Sequence, residues 1–181
     1  MWNDNRKGKY GGGNNNYGGT NNRNDRRNQD YNKNRDGQNG NDDKKLPEKF
    51  SEVFKNGNLD LDVIDEVMVA YMKSKDAKIT TSKLRNIMSM ISEIYNFESR
   101  RREETLDQGS ISKLQRLHIR IVYEYGRTET NKEFKPFCNR FRVLEYLTEI
   151  SRNHYKRSDF INYAKFFEAL VAYHRYRGGR D

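Results

Sequence analysis

Apolar residues recur at intervals of three and four through most of the chain beyond Pro47, which is the spacing of an amphipathic α-helix. This pattern predicts a first helix over roughly residues 60–75. It predicts a second helix that begins after Thr80 or Thr81, either of which suits an N-cap. The apolar positions that define these two helices are Val63, Ile64, Val67, Met68, Tyr71, Leu84, Ile87, Met88, Ile91, Ile94 and Tyr95.

Two further helices are predicted in the middle of the chain. The third is expected to begin at Gly109-Ser110 and to end at Gly126, since glycine readily takes the positive φ found just after many helices. The fourth is expected to follow Pro136, a residue that is tolerated in the first helical turn. Its apolar positions are Phe137, Phe141, Leu144, Leu147 and Ile150.

The fifth helix is predicted to have Ser158 as its N-cap, with Asp159 beside the positive end of the helix dipole. Residues 49–54 are expected to add a short leading helix, and no alternating run bounded by turn residues predicts a strand. We therefore predict an all-α fold, a compact bundle of about five helices.

The last helix is apolar on two opposite sides and stops before Gly178-Gly179. Such a helix is central to a bundle or lies in an interface. Its apolar positions are Phe160, Tyr163, Phe167, Leu170, Val171 and His174 on one side and Phe166, Ala169, Tyr173 and Tyr176 on the other.

The first 45 residues have a different composition, with 13 Asn and 8 Gly among them. Such a segment cannot bury enough apolar surface to offset the entropy of ordering it. We therefore predict a disordered tail at residues 1–45 and a helical domain at residues 46–181. The Asn/Gly/Tyr/Arg mixture is found in segments that self-associate or touch RNA weakly, and also in tails that only aid solubility.

Cys138 is the single cysteine, which argues against a disulfide framework and against a cysteine-based zinc site. The first residues lack the apolar core of a signal peptide, and no run approaches the roughly 20 apolar residues of a membrane helix. We expect a cytoplasmic protein with no membrane partner.

The formal charge of +9 is concentrated toward the C-terminus. Residues 110–181 hold 15 basic and 8 acidic side chains, whereas residues 46–109 hold 10 basic and 12 acidic ones. An excess of positive charge on one half of a folded domain favours a polyanionic partner. Charge alone does not establish such a partner, because many basic proteins have none.

The third helix carries a line of positive charge. At about 100° per residue, Lys113, Arg116 and Arg120 fall along one edge, and Arg127 continues it if the helix extends that far. We call these four residues the basic edge. Positive charge repeated along one edge suits a phosphate backbone, although Glu124 interrupts the line and an ordinary solvated face is the alternative.

Two neighbouring features have more than one interpretation. Tyr123, beside the basic edge, is placed either to stack on a base or to pack on another helix. The connection at residues 98–108 contains three consecutive arginines, which suggests a phosphate patch. Two glutamates follow them at once, so a solvated, charge-balanced loop or helix end is the simpler interpretation.

The chain contains no catalytic or metal-binding pattern that we recognise. Its three histidines, His118, His154 and His174, lie on different segments and have no acidic or cysteine partner at a metal-binding spacing. His174 is expected to be a packed core or interface residue. His118 and Glu124 would be an acid–base pair for RNA cleavage only if they met, and they point about 120° apart on a helix. We predict no catalytic residue, no metal and no cofactor.

Three segments, taken together and in order, resemble one family. They are Ile79-Thr80-Thr81-Ser82-Lys83-Leu84-Arg85-Asn86-Ile87-Met88, Arg120-Ile121-Val122-Tyr123-Glu124-Tyr125-Gly126-Arg127 and Phe167-Glu168-Ala169-Leu170-Val171-Ala172-Tyr173-His174-Arg175-Tyr176. The chain resembles the small subunit of the type III-A CRISPR–Cas effector, the Csm complex, over about residues 75–178.

The resemblance implies a helical, non-catalytic subunit that stacks in several copies into a filament within a ribonucleoprotein for defence against foreign nucleic acid. It implies contact with guide RNA and target RNA, with the target strand held by basic residues, and with the backbone and large subunits. Residues Lys83, Arg85, Arg120, Arg127, Lys165 and Arg175 match motif positions and are implied to bind RNA. Lys113 and Arg116 are added from the helical stripe.

A protein–protein adaptor with a basic surface and no nucleic-acid contact is the alternative function. A small metal-independent ribonuclease that uses His118 is a second alternative.

Overall fold

The computed structural model describes residues 44–127 and 131–181, which fold as an all-α body and confirm the predicted fold class. The described residues hold six α-helices, a short 3₁₀ helix at Phe50–Val53 and two very short strands. The α-helices are α1 (Leu61–Lys73), α2 (Thr81–Glu98), α3 (Gln108–Gly126), α4 (Asn131–Phe141), α5 (Val143–Arg152) and α6 (Arg157–Tyr176). The predicted tail lies outside the described residues except for positions 44 and 45.

The first two helices begin where side chains cap them. The Asp60 carboxylate accepts hydrogen bonds from the backbone N–H groups of Asp62 and Val63, at 3.2 and 3.3 Å, and so starts α1. The Thr80 hydroxyl accepts from the N–H of Lys83 at 3.2 Å and starts α2. Thr80 is thus confirmed as an N-cap.

A short β-hairpin, with two residues in each strand and two in its turn, precedes α1. The sequence analysis predicted no strand and missed it. Strands β1 (Phe54–Lys55) and β2 (Asn58–Leu59) pair antiparallel through Asn56 and Gly57, whose φ angles are 52° and 78°. Positive φ at both positions is typical of the Asn-Gly hairpin turn. Strands of two residues are too short to show an alternation of apolar and polar positions. The Asn56-Gly57 dipeptide was therefore the only local indication of a hairpin in the sequence.

The predicted fourth helix is two helices, and Pro136 lies inside the first of them rather than in a first turn. The break falls at Arg142, which has a left-handed φ of 49°. This conformation is unfavourable for a residue other than glycine. The break is supported from far away in sequence, because Arg142 Nε donates to the Leu46 carbonyl at 2.8 Å and the Tyr146 hydroxyl donates to the Pro47 carbonyl.

The start of α6 is held by the α2–α3 connection rather than by Ser158, which was wrongly predicted as its cap. The backbone N–H of Arg157 donates to the Glu104 carbonyl at 2.8 Å, and the N–H of Leu106 donates to the Tyr155 carbonyl at 2.9 Å. Asp159 does lie in the first turn, as expected from the helix dipole.

The same connection is less solvated than predicted. Glu98 at the end of α2 is fully buried and accepts hydrogen bonds from Arg101 at 2.9 Å and from the backbone N–H of Asp107 at 2.9 Å. Arg100 and Arg102 are exposed. One of the three arginines therefore supports the fold, and two face solvent.

Helix α6 is central to the body, as its sequence predicts. Both of its apolar sides hold buried residues, and the helix packs on α1, α2 and α5. Tyr176, predicted on one of these sides, is instead 74% exposed at the end of the helix. Phe166 lies in an aromatic cluster, with ring centroids 5.6 Å from Phe50, 5.4 Å from Tyr146 and 6.1 Å from Tyr163. The helix stops as expected before Gly178, which has a φ of 87°. Within residues 44–127 and 131–181, no helix combines the length and apolar character needed to cross a membrane.

Replacing Phe166 by Ala should lower the free energy of unfolding by about 3–5 kcal/mol, because a buried ring is lost and a cavity remains. Urea denaturation of the full chain measures this. Glu168→Ala, at an exposed position of the same helix, is the matched control and should change it by less than about 0.5 kcal/mol. Equal losses in the two variants would contradict the central position of α6.

Candidate nucleic-acid interface

Helix α3 presents one apolar side to the protein and a basic side to solvent. Leu114, Leu117 and Ile121 are buried against the rest of the bundle. The helix contains a single carboxylate, Glu124, and that side chain is buried. The solvent-facing part of α3 therefore carries positive charge and no negative charge.

Glu124 is the centre of an ion-pair group that the sequence analysis read only as an interruption. We call this group the Glu124 cluster. The carboxylate is 6% exposed, and its oxygens lie 3.1 Å from Lys83 Nζ, 3.0 Å from Arg120 Nη2 and 4.0 Å from Arg127 Nη1. Spacings of four and three residues to the two arginines are visible in the sequence. Lys83 lies on α2, and nothing in the sequence near it indicates that it pairs with Glu124.

The Glu124 cluster explains the position of Lys83. Its ammonium group also lies 5.5 Å from the centroid of the Phe134 ring, and its side chain is 23% exposed. Lys83 therefore joins α2 to α3 and is not freely offered to a ligand. Arg85, two residues further along α2, is exposed.

Arg116 is the most available cation of the basic edge. It is exposed, and among the described residues no carboxylate oxygen lies within 4 Å of it. Lys113 pairs with Glu93 at 2.7 Å, and both of these side chains are about half exposed or more. Exposed pairs of this kind contribute little to stability, so a phosphate can replace Glu93 at small cost.

The two predicted site residues of α6 are separate from this group. Lys165 and Arg175 are exposed, and Arg175 Nη1 lies 2.9 Å from the carboxylate of Asp181. Within the described part of the chain, neither residue forms a hydrogen bond or ion pair with α3. The structure therefore brings Lys83 together with Arg120 and Arg127, and leaves the α6 pair outside the Glu124 cluster.

His174 holds the end of the chain against the start of α2, and its prediction as a packed histidine is confirmed. The residue is 1% exposed, and its Nδ1 lies 3.2 Å from Thr81 Oγ1. Gly179 packs on the imidazole so closely that a Cβ there would overlap the ring. The backbone N–H of Thr81 donates to the Arg180 carbonyl at 2.6 Å. Burial lowers the pKa of His174.

The pairing of His118 with Glu124, which the ribonuclease alternative would need, has no support in the geometry. Glu124 is engaged by three cations, whereas His118 is partly buried and has its pKa lowered by burial. In the described ranges, no three His, Cys, Asp or Glu side chains come together as metal ligands.

A cleft of about 310 Å³ beside the hairpin differs from the basic edge in charge. Its lining includes the carboxylates of Glu149 and Asp159 and the rings of Phe50 and Phe54, with no basic side chain among its described walls. Such a cleft does not suit a phosphate group. The basic edge is therefore the candidate interface.

Comparison with known proteins relates the chain to one family. The family model described as Csm2 Type III-A matches residues 60–180, which extends the resemblance to include α1 and covers every predicted site residue. The chain is 31% identical over 98 residues to the CRISPR system Cms protein Csm2 of Enterococcus italicus, a match that covers 54% of this chain and 67% of the relative.

Two further relatives carry the same name. The protein from Mycobacterium tuberculosis is 28% identical over 117 residues, which covers 64% of this chain and 90% of the relative. The protein from Streptococcus thermophilus is 30% identical over 103 residues, which covers 57% and 76%.

Replacing Glu124 by Gln should lower the free energy of unfolding by about 1–3 kcal/mol, because Lys83 loses its buried counter-charge. Chemical denaturation at constant ionic strength measures the loss. The matched control is Glu93→Gln, which breaks an exposed pair and should cost less than about 1 kcal/mol. If the two substitutions cost the same, the Glu124 cluster does not join α2 to α3.

Acidification should destabilise the protein in part through His174. Since its pKa is lower when folded than the roughly 6.5 of an unfolded chain, the unfolded state binds more protons between the two values. Its contribution to stability is present above about pH 6.5 and is lost as pH falls through the folded pKa. The free energy of unfolding of His174→Gln, measured from pH 7.5 to pH 5, should therefore fall less steeply than that of the wild type. His154→Gln, at an exposed position, controls for loss of one histidine, and a slope unchanged by His174→Gln would contradict the account.

Proposed function

Because the chain belongs to the Csm2 family and is a small subunit of a type III-A CRISPR effector, we propose that it acts there as a non-catalytic RNA-binding subunit. In this proposal the chain lies along the duplex of guide RNA and target RNA in the cytoplasm. It holds the target strand through basic side chains. Cleavage and nucleotide chemistry belong to the other subunits.

The observation that carries the proposal is the basic edge on a helix side without exposed carboxylates. From Lys113 to Arg127 the edge runs about 20 Å along the helix, at 1.5 Å per residue. That length covers several successive phosphates of an RNA strand. Phosphate contacts of this kind provide affinity without reading sequence, which suits a subunit of a complex whose specificity comes from base pairing.

The basic residues differ in how readily they can contact a phosphate, according to their exposure and their ion pairs within the protein. Arg116 and Arg85 are exposed, so they reach phosphate without losing an internal ion pair. Arg120 and Arg127 share the buried carboxylate of Glu124 and keep exposed side chains, at 57% and 46%. We propose that Glu124 restricts where these two guanidinium groups point, so that less side-chain entropy is lost when RNA binds.

The remaining partners in the proposal are proteins. Copies of the chain are proposed to stack into a filament beside the backbone and large subunits, with the domain at residues 46–181 as the stacking unit. Exposed apolar side chains are available for such contacts, among them Leu61, Phe97 and Tyr176. Residues 1–45 are proposed to remain a polar tail outside this unit.

Replacing Arg116 by Gln tests the proposal most cleanly, because it removes a charge without disturbing the Glu124 cluster. The logarithm of RNA affinity should fall with the logarithm of salt concentration, and the slope should be shallower by roughly 0.7–0.9 in the variant. Fluorescence anisotropy with the full chain and a labelled RNA, over a range of salt concentrations, measures the slope.

Arg152→Gln is the matched control, since Arg152 is an exposed arginine at the end of α5 and outside the basic edge. Its slope should equal that of the wild type. Equal slopes for all three proteins would contradict the assignment of the basic edge. Absence of any RNA binding by the chain, alone and in its complex, would favour the protein–protein adaptor.

A further inference from the structure

The two tyrosines of α3 have opposite surroundings. Tyr125 faces the protein and donates its hydroxyl to Asn139 Oδ1 at 2.8 Å. Tyr123 is 56% exposed and lies on the outward side of the helix, next to the basic edge. Packing of Tyr123 within the bundle, which the sequence left open, is therefore not its role in the described body.

One neighbour of the Tyr123 ring is already in place. The guanidinium carbon of Arg127 lies 5.6 Å from the ring centroid, within the range of a cation–π contact. Arg127 is also held near the Glu124 carboxylate at 4.0 Å. The ring and the guanidinium thus form a pair, and the Glu124 carboxylate lies within ion-pair distance of that guanidinium.

Among the described residues, the space beside Gly126 is open. Gly126, one helical turn beyond Tyr123, has no side chain, and a Cβ placed there would meet nothing within 4 Å. Arg116 and Arg120 lie on the same side of α3, seven and three residues before Tyr123. A planar group beside the tyrosine would therefore have arginines close enough to hold phosphates attached to it.

Resting on the proposed function, we propose that Tyr123 and Arg127 form a stacking site for an unpaired base of the bound RNA. The site takes any base, because every base offers a π-face to a tyrosine ring and a guanidinium plane. Arg116 and Arg120 hold the flanking phosphates. The chain then grips RNA through one base as well as through its backbone.

Charge and chemistry favour an RNA base over a protein surface at this position. The outward side of α3 itself has arginines and no exposed carboxylate. Among the described residues, Glu93 of α2 is an exposed carboxylate that pairs with the basic edge, at Lys113. Positive charge therefore predominates at this surface and favours a polyanion. Ile119 and Val122 are 69% and 45% exposed. Ile119 lies one helical turn before Tyr123 on the same side of α3, whereas Val122 lies about 100° round the helix from Tyr123 and away from the basic edge. Val122 therefore provides the matched position for separating a protein contact from a base contact.

The test uses the full chain and a single-stranded RNA that carries 2-aminopurine, whose fluorescence changes on stacking. Tyr123→Ala should lower RNA affinity at least about fivefold and abolish the fluorescence change. Its salt slope should stay at the wild-type value, because no phosphate contact is removed. Tyr123→Phe keeps the ring and should retain both affinity and fluorescence change, and Val122→Ala should behave as the wild type.

Three results would overturn the proposal in distinguishable ways. Unchanged affinity and fluorescence in Tyr123→Ala would refute the stacking site and leave the proposed function intact. If Tyr123→Ala lost a self-association that the wild type shows in analytical ultracentrifugation without RNA, and its RNA affinity were unchanged, Tyr123 would be assigned to a protein contact. Failure of the wild type to bind RNA under any salt condition would overturn both the stacking site and the proposed function.

Discussion

The arrangement of the candidate interface depends on one buried carboxylate. Glu124 lies at the contact between α2 and α3, where water is largely excluded, and a charge in such a place needs partners. Lys83 satisfies it from α2, and Arg120 satisfies it from α3 itself. One side chain therefore joins two helices and also pairs with cations that face solvent.

Helices α6 and α3 have different roles, the first mainly in the stability of the fold and the second in the inferred binding of RNA. Helix α6 supplies the core, with apolar residues on both sides and with His174 fastening the end of the chain to the start of α2. Helix α3 supplies the outward basic side. The α6 segment of the family resemblance is thus mainly structural, while the inferred contact with RNA lies on α3. Stability and binding can accordingly be altered at different residues.

The helical periodicity was sufficient to predict the fold class, the central position of α6 and the Thr80 cap. It failed where distant residues decide the backbone. Arg142 takes a left-handed conformation because the segment at Leu46–Pro47 accepts hydrogen bonds there, and nothing in the local pattern indicates this. The start of α6 is likewise held by backbone contacts with the α2–α3 connection, so a serine at position 158 gave a false cap.

The candidate site was predictable as a stripe but not as a cluster. Residues three, four and seven positions apart on one helix share an edge by geometry, so Lys113, Arg116 and Arg120 could be grouped from sequence. The role of Glu124 could not be predicted in the same way, because it depends on Lys83, which lies on a different helix. Glu124, which interrupts the basic edge in the sequence, lies within ion-pair distance of Arg120, Arg127 and Lys83 in the folded structure.

The central claim is that α3 contacts RNA in the effector. Ultraviolet cross-linking of the complex purified through this chain with its own RNA, followed by mass spectrometry of the cross-linked peptides, tests it most directly. The account predicts nucleotide adducts on this chain within residues 113–127, with Tyr123 among them. Adducts confined to other surfaces of the chain, or found only on sibling subunits, would contradict it.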